Sequence, residues 1–179
     1  MANVEARRGL TNPRLVTGGT PHTETRKVNP ANAEVWYPGQ LVDAAVNGYV
    51  THASAVQTSF LGVCMSYLPA PSTAPSSQVD EVQVITDLKN TLWDLQLSTT
   101  TVGQAIIGAN VPLNNITAVS AATKQSRMNG GTPVATAEEL NIVGFVTDAK
   151  NEIASANPRV TVKFNDSALY HIYNTSIGI

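Results

Sequence analysis

The sequence predicts an all-β protein: a small antiparallel β-barrel or sandwich with an extended N-terminal arm and one short helix. Three observations carry this. Apolar residues recur with a period of two, as in Val82 and Val84 or Val160, Val162 and Phe164, the spacing of a strand with one buried face. Turn-forming groups such as Asn47-Gly48 and Asn129-Gly130-Gly131 separate these short runs. Asp, Glu, Lys and Arg make up only 13% of the 179 residues, while Thr, Ala, Asn and Val abound. That charged share is about half the usual one, so solubility rests on neutral polar side chains.

Residues 1–38 differ from the rest. Arg7, Arg8, Arg14, Arg26 and Lys27 are five of the eleven basic residues, and Gly, Pro, Thr and Asn interrupt any apolar period there. Such a segment buries too little surface on its own to offset its ordering entropy, so composition leaves it as either an extended arm ordered against a larger surface or a disordered tail. Val35, Trp36 and Tyr37, just before Pro38-Gly39, are expected to dock it, since aromatic rings gain most from burial.

Residues 39–165 form the expected domain. Gln40–Val46 and Tyr49–His52 flank Asn47-Gly48, a pair that tolerates the positive φ of a tight hairpin turn. Phe60 to Leu68 reads as an apolar strand ending at Pro69, and 69–77 as a proline-rich surface excursion. Val79 to Leu97 is the most orderly stretch. Val82 and Val84 alternate with Glu81 and Gln83. Beyond Asp87-Leu88-Lys89-Asn90, Trp93, Leu95 and Leu97 alternate with Asp94 and Gln96. The expectation is a hairpin anchored by Trp93; a single amphipathic helix conflicts with the β-branched content and the polar break.

Thr101-Val102-Gly103-Gln104 has capping-box spacing and predicts a helix of little more than two turns, ending at Gly108. Asn115–Ala122 reads as a strand, 124–132 as a loop, Leu140–Val146 and Arg159–Phe164 as strands. Residues 166–179 are a further edge strand or a tail.

Little in the chain points to chemistry. His22, His52 and His171 have no metal-ligand spacing, and the single Cys64 excludes an intrachain disulfide or an all-Cys zinc site. Cys64 lies in an apolar run, where a buried inert thiol is expected. Asp80-Glu81 and Glu138-Glu139 are adjacent carboxylates, which a strand sends to opposite faces. No serine sits in a GxSxG elbow, and Gly18-Gly19-Thr20 lacks the lysine of a phosphate loop. The expectation is a protein without enzymatic activity, cofactor or metal. A net charge of −2 and 6% aromatic residues offer no case for nucleic acid. No apolar run reaches membrane-spanning length and the N-terminal residues show no signal-peptide core, so no membrane partner is expected and synthesis in a cytoplasm is.

The order of segments resembles the head decoration, or cement, proteins of tailed bacteriophages, over roughly residues 1–165. The residues that carry the resemblance are Met1-Ala2-Asn3 with Arg8-Gly9-Leu10 and Pro13, Tyr37-Pro38-Gly39-Gln40-Leu41-Val42 followed by Asn47-Gly48-Tyr49-Val50 and Leu61-Gly62-Val63, the stretch Gln83 to Gln96, Thr101 to Ala105, and Leu140 to Phe145. The loop 69–77 and the tail depart from that pattern. The resemblance implies a virion protein on the outer capsid surface, bridging major capsid subunits and neighbouring copies of itself, as a trimer rather than a dimer. The capsid-contact residues would be Arg7, Arg8, Leu10, Arg14, Arg26 and Lys27, with Trp36 and Tyr37 anchoring the arm. The alternative from another class is a host- or glycan-binding β-module of a virion.

Overall fold

The computed structural model describes residues 3, 7–28, 34–45, 48–54, 60–69, 80–99 and 102–165. Among them the strands are β1 (Thr11–Leu15), β2 (Glu24–Lys27), β3 (Leu41–Ala44), β4 (Val50–His52), β5 (Gly62–Cys64), β6 (Glu81–Ile85), β7 (Thr91–Gln96), β8 (Asn110–Val111), β9 (Leu113–Asn114), β10 (Val119–Ser120), β11 (Gln125–Ser126), β12 (Asn129–Gly130), β13 (Leu140–Phe145) and β14 (Arg159–Phe164). Ten of these form two antiparallel five-stranded sheets, ordered β1-β7-β14-β13-β8 and β2-β6-β5-β3-β4. We call them the first and second sheets. β9 with β12 and β10 with β11 form short ribbons.

The sheets pack face to face. Leu41, Val63 and Ile85 of the second sheet share one buried cluster with Trp93, Leu95, Val160 and Val162 of the first. Since successive strand residues point to opposite faces, Val42, Cys64, Val82 and Val84 point the other way, into a separate cluster with Val28, Trp36 and Val50. The second sheet is therefore apolar on both sides. It curls far enough for Val28 to bridge Val50, which lies on its opposite edge. That single bridge is not a continuous ladder, so the architecture is sandwich-like rather than a closed barrel.

The all-β class is what the alternation predicts, but four expectations require correction. The first concerns Val79 to Leu97. Its two strands exist as β6 and β7, yet they do not pair: β6 lies between β2 and β5, and β7 between β1 and β14. The intervening residues cross from sheet to sheet instead of turning back, with Leu88 only 2% exposed in the shared core. A buried leucine in the middle of the connection makes it a pivot packed between layers, and a free hairpin turn would leave that side chain in water.

The second correction concerns the arm. Between residues 7 and 28 the chain supplies β1 to one sheet and β2 to the other, so the boundary drawn at 38 does not divide arm from body. Both strands are disguised in sequence by the means that edge strands use. β1 carries a one-residue bulge between Thr11 and Arg14, containing Asn12 at φ 48° and then Pro13. β2 reads Glu-Thr-Arg-Lys. A close approach also fixes this segment: Gly9 has φ 67°, and a Cβ there would stand 2.5 Å from the Gly39 carbonyl oxygen, while Gly39, at φ 84°, would place its own 2.7 Å from the Arg8 oxygen. Two backbones in contact with both glycines left-handed leave no room for side chains.

The third is the short helix, which shrinks to a 3₁₀ turn over Gln104–Ile106 with Gly103 as an extended N-cap and no side-chain cap. A segment that short gains too few hydrogen bonds to offset nucleation. The fourth concerns strand lengths. Within Phe60–Leu68 only Gly62–Cys64 forms a ladder, although Leu68 bridges Trp36. Within 115–122 only Val119–Ser120 is strand, and the expected loop 124–132 holds β11 and β12. The β3–β4 hairpin forms with Ala44 opposite Val50, leaving a five-residue connection whose centre, 46–47, lies outside the described residues. So do most of the proline-rich loop and the whole segment 166–179.

Candidate functional site

The inner face of the first sheet is filled by the core, and its outer face carries the other, mostly polar half of the same alternation: Leu92, Asp94 and Gln96 on β7, and Arg159, Thr161 and Lys163 on β14. β14 lies directly beside β7, with Arg159 opposite Gln96 and Thr161 opposite Asp94. From the other side the β1 bulge aims two side chains at the same carboxylate, a use to which bulges are often put. Arg14 Nη1 donates to Asp94 Oδ1 at 2.9 Å, Asn12 Nδ2 donates to Asp94 Oδ2 at 2.9 Å, and Arg14 Nη2 donates to Thr161 Oγ1 at 2.7 Å. Asp94, 6% exposed, therefore has both oxygens engaged by fixed donors. That is a structural tie across three strands.

This network divides two open hollows. One, of about 400 Å³, has β7 as its floor, Asn3, Arg8, Gly9, Thr11 and Asn12 along one wall and Asp148, Lys150 and Asn157 along another. The second, of about 690 Å³, lies towards Val16, Leu92, Val143 and Lys163. Together with Arg14, the cations Arg8, Lys89, Lys150, Arg159 and Lys163 place six of the chain's eleven basic residues on or around this face. The carboxylates lining the hollows, among the described residues, are Asp94 and Asp148. The five cations that line the hollows exceed these two carboxylates by three, on a chain whose net charge is −2, so the outer face of the first sheet carries a local excess of positive charge on an acidic molecule.

Asp148 pairs with Arg159. Its carboxyl is held below the ordinary range first by the Lys150 backbone N–H and then by the Arg159 guanidinium. Arg8 is exposed, and neither its guanidinium nor the Lys150 ammonium makes an ion pair with a described residue.

The residues singled out from sequence do not form one surface. Arg8 and Arg14 belong to the electropositive face. Arg7 is half-buried beside them in sequence. Leu10, 1% exposed, belongs to the shared core, which corrects its assignment as a contact residue. Arg26 and Lys27 stand on β2 of the other sheet, Arg26 paired with Glu24. Trp36 and Tyr37 are buried. Trp36 fills the second cluster with its ring 4.1 Å from that of His52, and Tyr37 lies 5.6 Å from Tyr67.

His52 Nδ1 meets Glu34 Oε2 at 2.6 Å. Burial nonetheless lowers the His52 pKa, with Glu34 opposing. Among the described residues no three His, Cys, Asp or Glu side chains gather closely enough to hold a metal, and no helix is long and apolar enough to cross a membrane.

Lys89, Asp94, Asp148, Lys150, Arg159, Thr161 and Lys163 were not singled out from sequence. Their alternation within each strand was visible, but the adjacency of β7 and β14, some 65 residues apart, was not. The chain matches no protein-family model and no curated protein.

Proposed function

We propose that this protein is a structural capsid decoration protein, docking on the outer surface of a phage shell through the outer face of its first sheet and tying major capsid subunits together. The observation that carries the reading is the excess of cations on that one face of an otherwise acidic chain. Such a charge imbalance steers and orients binding to an acidic surface. The segment order noted in the sequence gives the class of partner. A protein that binds only the assembled shell stabilises it by mass action, and many copies on a symmetric lattice gain avidity even when each interface is small. Contacts between copies, as a trimer, belong to the same proposal.

The test uses particles that lack the protein. The purified chain is expected to rebind them and raise their resistance to heat, and Lys163→Glu is expected to abolish rebinding at moderate salt while Lys27→Glu, on the other sheet, leaves it intact. Rebinding that is indifferent to Lys163→Glu, or no rebinding by the wild-type chain, overturns the reading.

A further inference from the structure

The walls of the hollow beside Arg8 and Lys150 are tied to one another and to its floor by hydrogen bonds within the chain. The loop after β13 is clamped by one side chain: Asn151 Nδ2 donates to the carbonyls of Val146 and Arg159 at 2.9 and 2.8 Å, and its Oδ1 accepts from the Arg159 N–H at 2.8 Å. Asn3 ties the N-terminal wall to that loop, donating to the Glu152 carbonyl and accepting from the Glu152 N–H, both at 2.8 Å. Gln96 Nε2, on the floor, donates to the Asn157 carbonyl at 3.1 Å. Preformed walls lower the ordering cost that binding must offset.

The charges in the hollow are unevenly spent. Asp94 is taken by Arg14, and Asp148 by Arg159. The Arg8 guanidinium and the Lys150 ammonium come from separate walls and form no ion pair within 4.0 Å with a carboxylate among the described residues, although the Lys150 charge acts on Asp148 from a longer distance. Between them the lining is amide-rich, with Gln125 and Asn157 beside Asn12 and Gln96, which already donate within the chain to Asp94 and to the Asn157 carbonyl. A single phosphate is best held by donors converging on one point. Here two cations on different walls flank an open volume of about 400 Å³ with side-chain amides between, which suits an extended chain carrying more than one carboxylate and offering its own backbone groups to the amides.

We propose that this hollow receives an extended acidic peptide segment of the partner, its carboxylates meeting Arg8 on one wall and Lys150 on the other. The inference deepens the docking reading above and rests on it only for the partner's identity.

The experiment is a titration of the ¹⁵N-labelled full chain, followed by NMR, with blocked pentaglutamate as probe and with pentaglutamine and inorganic phosphate as comparators. Pentaglutamate is expected to shift the amides of Gly9, Gln96 and Lys150 saturably, and more weakly as salt rises. Arg8→Glu and Lys150→Glu, both at exposed positions, are each expected to weaken it by about fivefold, and Lys27→Glu to leave it unchanged. Equal binding of pentaglutamine, equal binding of phosphate at the same amides, or indifference to both reversals overturns the proposal. Rebinding to particles separates the two readings. If Arg8→Glu and Lys150→Glu lose the peptide but rebind particles fully, the acidic-segment assignment fails and docking stands. If the wild-type chain binds pentaglutamate but not particles, docking on a shell fails and the peptide site stands.

Discussion

Arg14 and Asp94, eighty residues apart, form the tie that holds the first strand to the sheet: the guanidinium reaches Asp94 Oδ1 at 2.9 Å and, through its other terminal nitrogen, Thr161 Oγ1 at 2.7 Å. The carboxylate side is 8% exposed and the arginine side 41%. Removing the arginine leaves a nearly buried charge held by neutral donors. Fully buried pairs broken on one side lose 3–5 kcal/mol, but the exposed guanidinium moderates this. Arg14→Ala is expected to destabilise the fold by about 2 kcal/mol, and the double variant with Asp94→Asn to lose less than the sum of the two single changes. Urea unfolding of all four proteins checks this.

Gly9 lies against Gly39. Gly9→Ala imposes a left-handed φ on an L-residue and drives its Cβ to 2.5 Å from a backbone oxygen, so it is expected to cost about 3 kcal/mol or more. Gly18→Ala shares the positive φ but meets nothing within 4 Å. It is expected to cost about 1 kcal/mol. The two thermal midpoints should separate accordingly.

Deleting residues 1–28 tests whether the N-terminal segment is appended or integral. The deletion removes β1, β2 and the core residues Leu10 and Val28. The truncated chain is expected to lose cooperative unfolding and near-UV dichroism, whereas an appended arm would leave both intact.

Cys64 is completely buried, its Sγ donates to the Ser66 carbonyl, and burial pushes the thiol up to about 11. Since only the thiolate reacts, an aromatic disulfide reagent at pH 8 is expected to label the native chain no faster than the chain opens and to label it promptly in urea. Rapid native labelling would contradict this burial.

His52 gives the fold a pH dependence. Burial lowers its folded pKa below the ordinary 6.5, despite Glu34. The unfolded chain therefore binds the proton more readily, and stability rises with pH in this region. The contribution is complete above about 6.5 and is lost as pH falls towards the folded pKa. Unfolding midpoints from pH 7.5 to 5 are expected to fall for the wild type and to fall less for His52→Phe, which keeps a ring against Trp36 and removes the titrating imidazole, whose Nε2 has no hydrogen-bond partner among the described residues.

Period-two alternation located Glu81–Ile85, Thr91–Gln96 and Arg159–Phe164 closely, because a half-buried strand writes its two faces into consecutive residues, and the apolar run at 140–146 located Leu140–Phe145. It did not locate Thr11–Leu15 or Glu24–Lys27. A bulge containing Asn-Pro and a charged edge carry no such pattern, so the N-terminal strands read as a tail. Asp94 and Thr161 were each visible as polar residues in an alternating strand, and nothing local distinguished them from ordinary wet positions.

What the sequence determined by itself was the class of structure, the positions of the main strands and the burial of Trp36, Tyr37 and Cys64, all consequences of local periodicity and of the size and polarity of single side chains. Which strands are neighbours was decided only in three dimensions. The five residues after Ile85 serve equally for a hairpin or for a crossing between layers, and what selects the crossing is Leu88 in a core built by strands far away in the chain. The electropositive face follows from the same choice: it exists because β7 lies between β1 and β14, which brings Arg14, Asp94 and Arg159 onto one surface from three distant segments.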